Sequence, residues 1–124
     1  KLFPEKIEYP GISRNIDVAP TAIDMVGLAK PPSFMGVSLV QAHRPRLAYF
    51  HTDWENDISG IRDTKWKYIY RAQEKRGELY DLLSDPDEKH DLSATHPEIT
   101  KKLLPEVMKA RETQRGWYMK YRGR

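Results

Sequence analysis

Arg62-Asp63-Thr64-Lys65-Trp66-Lys67-Tyr68-Ile69-Tyr70-Arg71 is the stretch that decides the fold class of this chain. Ile58 to Arg62 and Lys65 to Arg71 flank the pair Asp63-Thr64, and two such runs joined by so short a connection read as a β-hairpin. Asp-Thr is a weaker turn pair than Asn-Gly, so the register stays open. The second run alternates charge with bulk. The period of two in a strand puts Lys65, Lys67 and Ile69 on one face and Trp66, Tyr68 and Tyr70 on the other. The aromatic face is expected in the core. The basic face is expected toward solvent, where an anionic substrate could also be met.

Working outward, Leu47-Ala48-Tyr49-Phe50-His51 is a short strand candidate before the hairpin. After it, Arg76-Gly77 reads as a turn and Glu78-Leu79-Tyr80-Asp81-Leu82 as a further strand, while Ser84-Asp85-Pro86-Asp87 carries turn chemistry. Thr95-x-x-Glu98 fits a capping box with Pro97 in the first turn. Ile99, Leu103 and Val107 then recur every four residues, with Leu104 and Met108 beside them, as a helix requires. Pro105 lies inside that pattern and is expected to kink or split it. Trp117, Tyr118 and Tyr121 could anchor its end against a sheet. Before the strands, Asp17 is a plausible helix N-cap, Pro20 falls in the first turn, Ile16, Ala19, Ile23 and Val26 lie near helical spacing, and Gly27 marks the stop. Residues 1–12, with Pro4, Pro10 and Gly11, read as an irregular lead-in. Residues 28–46, with Pro31, Pro32 and Pro45, read as an extended linker. The order predicts an α+β fold: a small antiparallel sheet of three to four strands packed by a carboxyl-terminal helix and preceded by one helix.

Composition fits one small globular domain. Of 124 residues, 39% are hydrophobic and 31% charged. No apolar run approaches the ~20 residues of a membrane span, and the start Lys1-Leu2-Phe3-Pro4-Glu5 does not read as a signal peptide. The absence of cysteine excludes disulfides, zinc-thiolate sites and a cysteine nucleophile within this chain. The net charge of +3 is uneven: residues 101–124 hold eight Lys/Arg against two Glu. Such an end could meet nucleic acid, anionic lipid or a sulfated polymer, although a solvated helix face is the commoner meaning. No nucleic-acid motif accompanies it, and no nucleic-acid partner is expected.

The search for chemistry is short. None of the six serines (13, 33, 38, 59, 84 and 93) sits in a Gly-x-Ser-x-Gly elbow. There is no phosphate-binding glycine loop. His43, His51, His90 and His96 lack the spacing of a zinc helix. His51 ends a strand beside Asp53, Trp54 and Glu55, where a side chain could face a cleft; a structural or solvent-facing histidine is the simpler reading. Asp81, Asp85, Asp87, Glu88 and Asp91 supply oxygen donors but not the pattern of a calcium loop, and turn and cap duty explains Asp85 and Asp91 more simply. No metal ligand is assigned here.

Two stretches, read together, resemble the sulfatase family of the alkaline-phosphatase-like superfamily, in its carboxyl-terminal portion. Ile16-Asp17-Val18-Ala19-Pro20-Thr21-Ala22-Ile23-Asp24-Met25-Val26-Gly27 is similar to the Asp-hydrophobic-x-Pro-Thr helix late in the sulfatase catalytic domain, and Met35-Gly36-Val37-Ser38-Leu39 to the Gly-x-Ser-Leu segment that follows it. Arg62-x-x-x-Trp66-Lys67-Tyr68-Ile69, Glu78-Leu79-Tyr80-Asp81-Leu82, Asp85-Pro86-x-Glu88 and Asp91-Leu92 look like the family's closing hairpin and turn, with Asp91 where Asn is more usual. The resemblance covers roughly residues 12–110. It implies that residues 1–42 are the tail of a catalytic domain, which would be the chain's partner, and that 43–124 form the smaller carboxyl-terminal subdomain. The family's Cys or Ser-x-Pro-x-Arg motif, whose first residue becomes formylglycine, is absent, as are the segments that hold Ca²⁺ or Mg²⁺. No catalytic residue carries over, and those cofactors are expected only in the parent. A sulfated substrate is the implied ligand. His51, Arg62 and Lys65 are the candidate contacts. The periplasm, the cell exterior and the lysosome all stay open for the parent. The alternative from another class is a basic module that holds anionic polymers through Lys101, Lys102 and Lys109.

Overall fold

The computed structural model describes residues 11–40, 47–52 and 57–121. Pro4, Pro10, His43, Pro45, Asp53, Trp54 and Glu55 lie outside the described residues. The chain divides into two compact units, Lys1–Arg46 and Leu47–Arg124.

The first unit is built on a short 3-10 turn, Asn15–Asp17, running into helix α1, Val18–Met25. Asp17 occupies the N-cap position but does not cap α1 with its side chain. Its carboxylate is fully buried and instead accepts from the Arg14 backbone N–H at 2.8 Å and from the Val37 N–H at 3.1 Å. The Thr21 hydroxyl donates to the Asp17 carbonyl at 2.6 Å and accepts from the Leu39 N–H at 3.0 Å. Ser38 donates to Asp24 at 2.5 Å. The extended segment is thus stapled along the helix by polar side chains. Gly36 passes so close to the Ile16 carbonyl that a Cβ there would collide with it. The apolar stripe expected to bury α1 behaves otherwise: Ile16, Ala19 and Val26 are exposed and Ile23 is half-buried, and Val18 and Leu28 join the exposed set.

The second unit is an antiparallel sheet in the order β1-β2-β3-β4, with β1 Ala48–Thr52, β2 Ile58–Arg62, β3 Trp66–Arg71 and β4 Arg76–Asp81, covered by helix α2, Pro97–Tyr121. The α+β class holds, with four strands. Registers Tyr49↔Ile61, Ile61↔Tyr68 and Tyr68↔Leu79 line up one row of side chains across all four strands. Ile61, Tyr68 and Leu79 pack there against Leu103 and Val107 of α2, with Trp66 and Tyr70 alongside. The aromatic face of the hairpin is therefore the core face. The opposite face carries Lys67, which reaches Glu88 at 2.5 Å, and Arg71, which grips Glu78 at 3.0 Å.

Three local expectations change and a fourth, at Pro105, narrows. Asp63 pairs with Trp66 through its backbone N–H, so Thr64-Lys65 make the tip. The Asp63 carboxylate accepts the N–H groups of Lys65 and Trp66 at 2.7 and 2.6 Å, a side-chain mimic of a turn. Arg76-Gly77 lie in β4, and the turn precedes them, with Lys75 at φ 51°. Gly77 is there because a Cβ would strike the Tyr68 ring. Helix α2 begins at Pro97, so Thr95 lies outside the cap position and its hydroxyl donates to the Leu92 carbonyl at 3.1 Å. Pro105 does not split α2. Both Pro105 and Lys101, whose carbonyl loses its donor, face outward, where water can satisfy that carbonyl.

Candidate functional site

The site lies one step along from the core row. In β1 and β2 the next residues on the helix-facing side are His51 and Ser59, which are direct cross-strand partners. In α2 the residue one turn beyond Val107 is Arg111. Sheet and helix therefore bring a polar row together at the margin of an apolar core. Ser59 is fully buried. Its Oγ accepts from Arg111 Nη1 at 2.6 Å, lies 2.8 Å from His51 Nδ1 and lies 3.4 Å from the Tyr49 hydroxyl. Arg111 also clasps Asp57 with two nitrogens, each 2.6 Å from a carboxylate oxygen, the bidentate geometry that makes guanidinium–carboxylate pairs strong. Tyr49 and His51 stack with centroids 6.3 Å apart and planes 11° from parallel.

The electrostatics follow from this arrangement. The Arg111 hydrogen bonds hold the Asp57 carboxyl below its usual range, against a smaller opposing effect of burial. The Asp57 hydrogen bonds raise Arg111. Burial pushes the Tyr49 hydroxyl up. Around this network lies a recess of about 870 Å³, lined by Tyr49, His51, Asp57, Arg111, Arg115 and Tyr118, among others. Beyond this network, Glu112, Gln114, Arg115 and Tyr118 also line the recess beside the histidine ring.

Of the three candidate contacts, the structure places His51 in this recess and sets the other two apart from it. Arg62 is exposed at the far end of the β1–β2 pairing, opposite Ala48. Three residues of strand, about 10 Å, separate that position from His51. Lys65 sits at the β2–β3 tip, 3.6 Å from Asp81 and over the Trp66 ring. The acidic cluster is committed to local structure. Asp81 accepts from the Leu83 N–H, Asp85 from the His90 N–H and Asp91 from the Leu79 N–H, each at 2.8–3.0 Å. Among the described residues no group of three His, Cys, Asp or Glu is placed to hold a metal ion. Tyr49, Asp57, Ser59 and Arg111 are members of the site that the sequence reading did not single out. One signal for Arg111 was available: Leu103, Val107 and Arg111 share one spacing of four, so Arg111 continues the helix stripe that packs on the sheet.

Residues 2–113 match the family model described as N-sulphoglucosamine sulphohydrolase, C-terminal. Among curated relatives, arylsulfatase K of Mus musculus is 32% identical over 115 residues, covering 78% of this chain and 21% of that protein. The delta 4,5-hexuronate-2-O-sulfatase of Bacteroides thetaiotaomicron is 28% identical over 100 residues, covering 71% of this chain and 21% of its own length. A structure solved with its substrate D-glucosamine-2-N,6-O-disulfate superposes with a TM-score of 0.62 at 25% identity, over 86% of this chain and 24% of that one. A further solved structure, from Bacteroides thetaiotaomicron VPI-5482, shares the fold with a TM-score of 0.66 at 21% identity, over 84% of this chain. This chain thus spans about a fifth of the length of the curated relatives it matches.

Proposed function

We propose a role from one premise: this chain belongs to the sulfatase family, in the carboxyl-terminal portion that the family model of N-sulphoglucosamine sulphohydrolases describes. In this reading it is the non-catalytic end of a sulfuric ester hydrolase. Residues 1–42 complete a catalytic domain, and 43–124 form a subdomain that lines one wall of the substrate cleft. Supporting the first part, Val18, Val26 and Leu28 are each about two-thirds exposed on the first unit, apolar side chains that a neighbouring domain could cover. Supporting the second, His51 lines a recess and is held by a hydrogen-bond network centred on the buried Ser59. That recess is the observation that carries the proposal.

The parent would supply formylglycine and Ca²⁺ or Mg²⁺, and its ligand would be a sulfated molecule. This chain's own residues would position that ligand. Changing His51, Arg62 and Lys65 one at a time to neutral residues in the full-length parent tests the assignment. The expected result is a fall in kcat/KM of about tenfold for His51→Gln, the size of a lost polar contact. Smaller effects are expected for Arg62 and Lys65, which lie away from the recess. An unchanged kcat/KM for His51→Gln would remove His51 from the cleft.

A second reading rests on a different observation. Lys101, Lys102 and Lys109 are all exposed on α2, so the helix could hold an anionic polymer by charge alone. That binding would weaken steeply with salt, and neutralising the three lysines would flatten the slope.

A further inference from the structure

The buried Ser59 Oγ has three side-chain neighbours within hydrogen-bond range. A serine hydroxyl has one proton and two lone pairs. Arg111 Nη1 can only donate, so at 2.6 Å it fills one lone pair. One proton and one lone pair remain for His51 at 2.8 Å and Tyr49 at 3.4 Å. An unprotonated imidazole nitrogen is a far better acceptor than a phenol oxygen, and a phenol is the better donor. Tyr49 therefore donates to Ser59, and Ser59 donates to His51 Nδ1. The other candidate partner for Nδ1 is Asp57, but its nearer oxygen is 3.9 Å away, outside hydrogen-bond range. With Nδ1 an acceptor, the ring proton sits on Nε2. Among the described residues Nε2 has no hydrogen-bond partner, and the ring lines the recess.

We propose that Ser59, anchored by Arg111, is a positioning residue that fixes His51 as the Nε2–H tautomer and so offers the recess a hydrogen-bond donor for a ligand oxygen, such as one of a sulfate or sugar group. The tautomer stands on the geometry alone, and the ligand rests on the reading of the recess as a substrate wall. Arg111, partly exposed, is anchored on Asp57 through Nη1 and Nη2 and gives its second Nη1–H to Ser59, so the serine proton is left to the better acceptor of the two remaining neighbours, His51.

Long-range ¹H–¹⁵N spectra of the labelled 124-residue chain at about pH 8, above the ordinary histidine range, test this, with His51 assigned by its loss in His51→Gln. The wild type should show a protonated Nε2 and a hydrogen-bonded, unprotonated Nδ1. In Ser59→Ala the Nδ1 resonance should move toward the position of a free pyridine-type nitrogen. A protonated Nδ1 in the wild type, or an unmoved Nδ1 in a folded Ser59→Ala, overturns the assignment. Tyr49→Phe is the gentler companion should Ser59→Ala lose its dispersed amide spectrum. It frees a lone pair on Ser59, which can then accept from the ring, so the Nδ1–H share should rise by about twofold or more; no rise counts against the proposal. Titration with D-glucosamine-2-N,6-O-disulfate separates the two claims. Binding at His51 that weakens by about fivefold in Ser59→Ala, the worth of one hydrogen bond, supports both. The expected tautomer without any response at His51 refutes the ligand and the substrate-wall reading while leaving the positioning role intact.

Discussion

At the residue scale the second unit should be sensitive at positions that have no slack. Leu79 is fully buried beside its cross-strand partner Tyr68 and against α2, so Leu79→Ala should cost about 3 kcal/mol through lost burial and a cavity, read from equilibrium denaturation. Gly77→Ala should destabilise comparably, because its methyl would enter the Tyr68 ring. Asp57 sets a pH dependence whose sign is fixed. Its folded pKa is depressed by Arg111, so the pair's contribution is present above the ordinary carboxylate pKa of about 3.9 and is lost as pH falls through the lowered value. The acid-unfolding curve of Asp57→Asn should be flatter than wild type in that window, and identical slopes would show the pair contributes nothing. These sites were unevenly legible. Trp66, Tyr68 and Tyr70 announced their face by alternation alone. Asp57 and Ser59 did not, since each is a short polar residue in a polar context and becomes significant only because α2 returns Arg111 to it across 54 and 52 residues.

At the element scale the recognisable motif of the first unit has a mechanical explanation. Asp17, Thr21 and Gly36-Val37-Ser38-Leu39 are the two halves of one set of hydrogen bonds. Asp17→Ala should therefore speed amide exchange at Val37 by about tenfold or more, since an opening that frees that N–H no longer breaks a bond to a buried carboxylate. The Leu79 amide, held by Asp91 at 3.0 Å in the other unit, should exchange as before. A global rise at both amides would mean that Asp17 acts through the whole chain. The sequence located α1, α2 and the strands because their periodicities are local properties. It misplaced boundaries where a side chain overrides them. Asp63 moved the hairpin tip by one residue, and Thr95 read as a cap although its hydroxyl serves Leu92. The stripe on α1 was legible as apolar but not as exposed, because periodicity shows which face is greasy and not what covers it.

At the scale of the whole molecule, this carboxyl-terminal portion of a sulfatase-family protein carries none of the family's nucleophile motif, and the proposed role for it is to position a ligand. The pure chain, supplied with Ca²⁺ or Mg²⁺ and a sulfate ester, should release no sulfate above the buffer rate; robust metal-dependent turnover would require a nucleophile that no motif in the sequence provides. Residues 47–124, which contain the sheet, α2 and their shared core, should unfold cooperatively when expressed alone, with a single thermal transition. The most direct test of the central claim is where a sulfated sugar lands. Amide and side-chain ¹⁵N shifts of the 124-residue chain, followed during titration with D-glucosamine-2-N,6-O-disulfate at physiological salt, should change at Tyr49, His51, Asp57, Arg111 and Arg115. Shifts confined to Lys101, Lys102 and Lys109 that vanish with added salt, or no shifts at all, would contradict a substrate-facing wall.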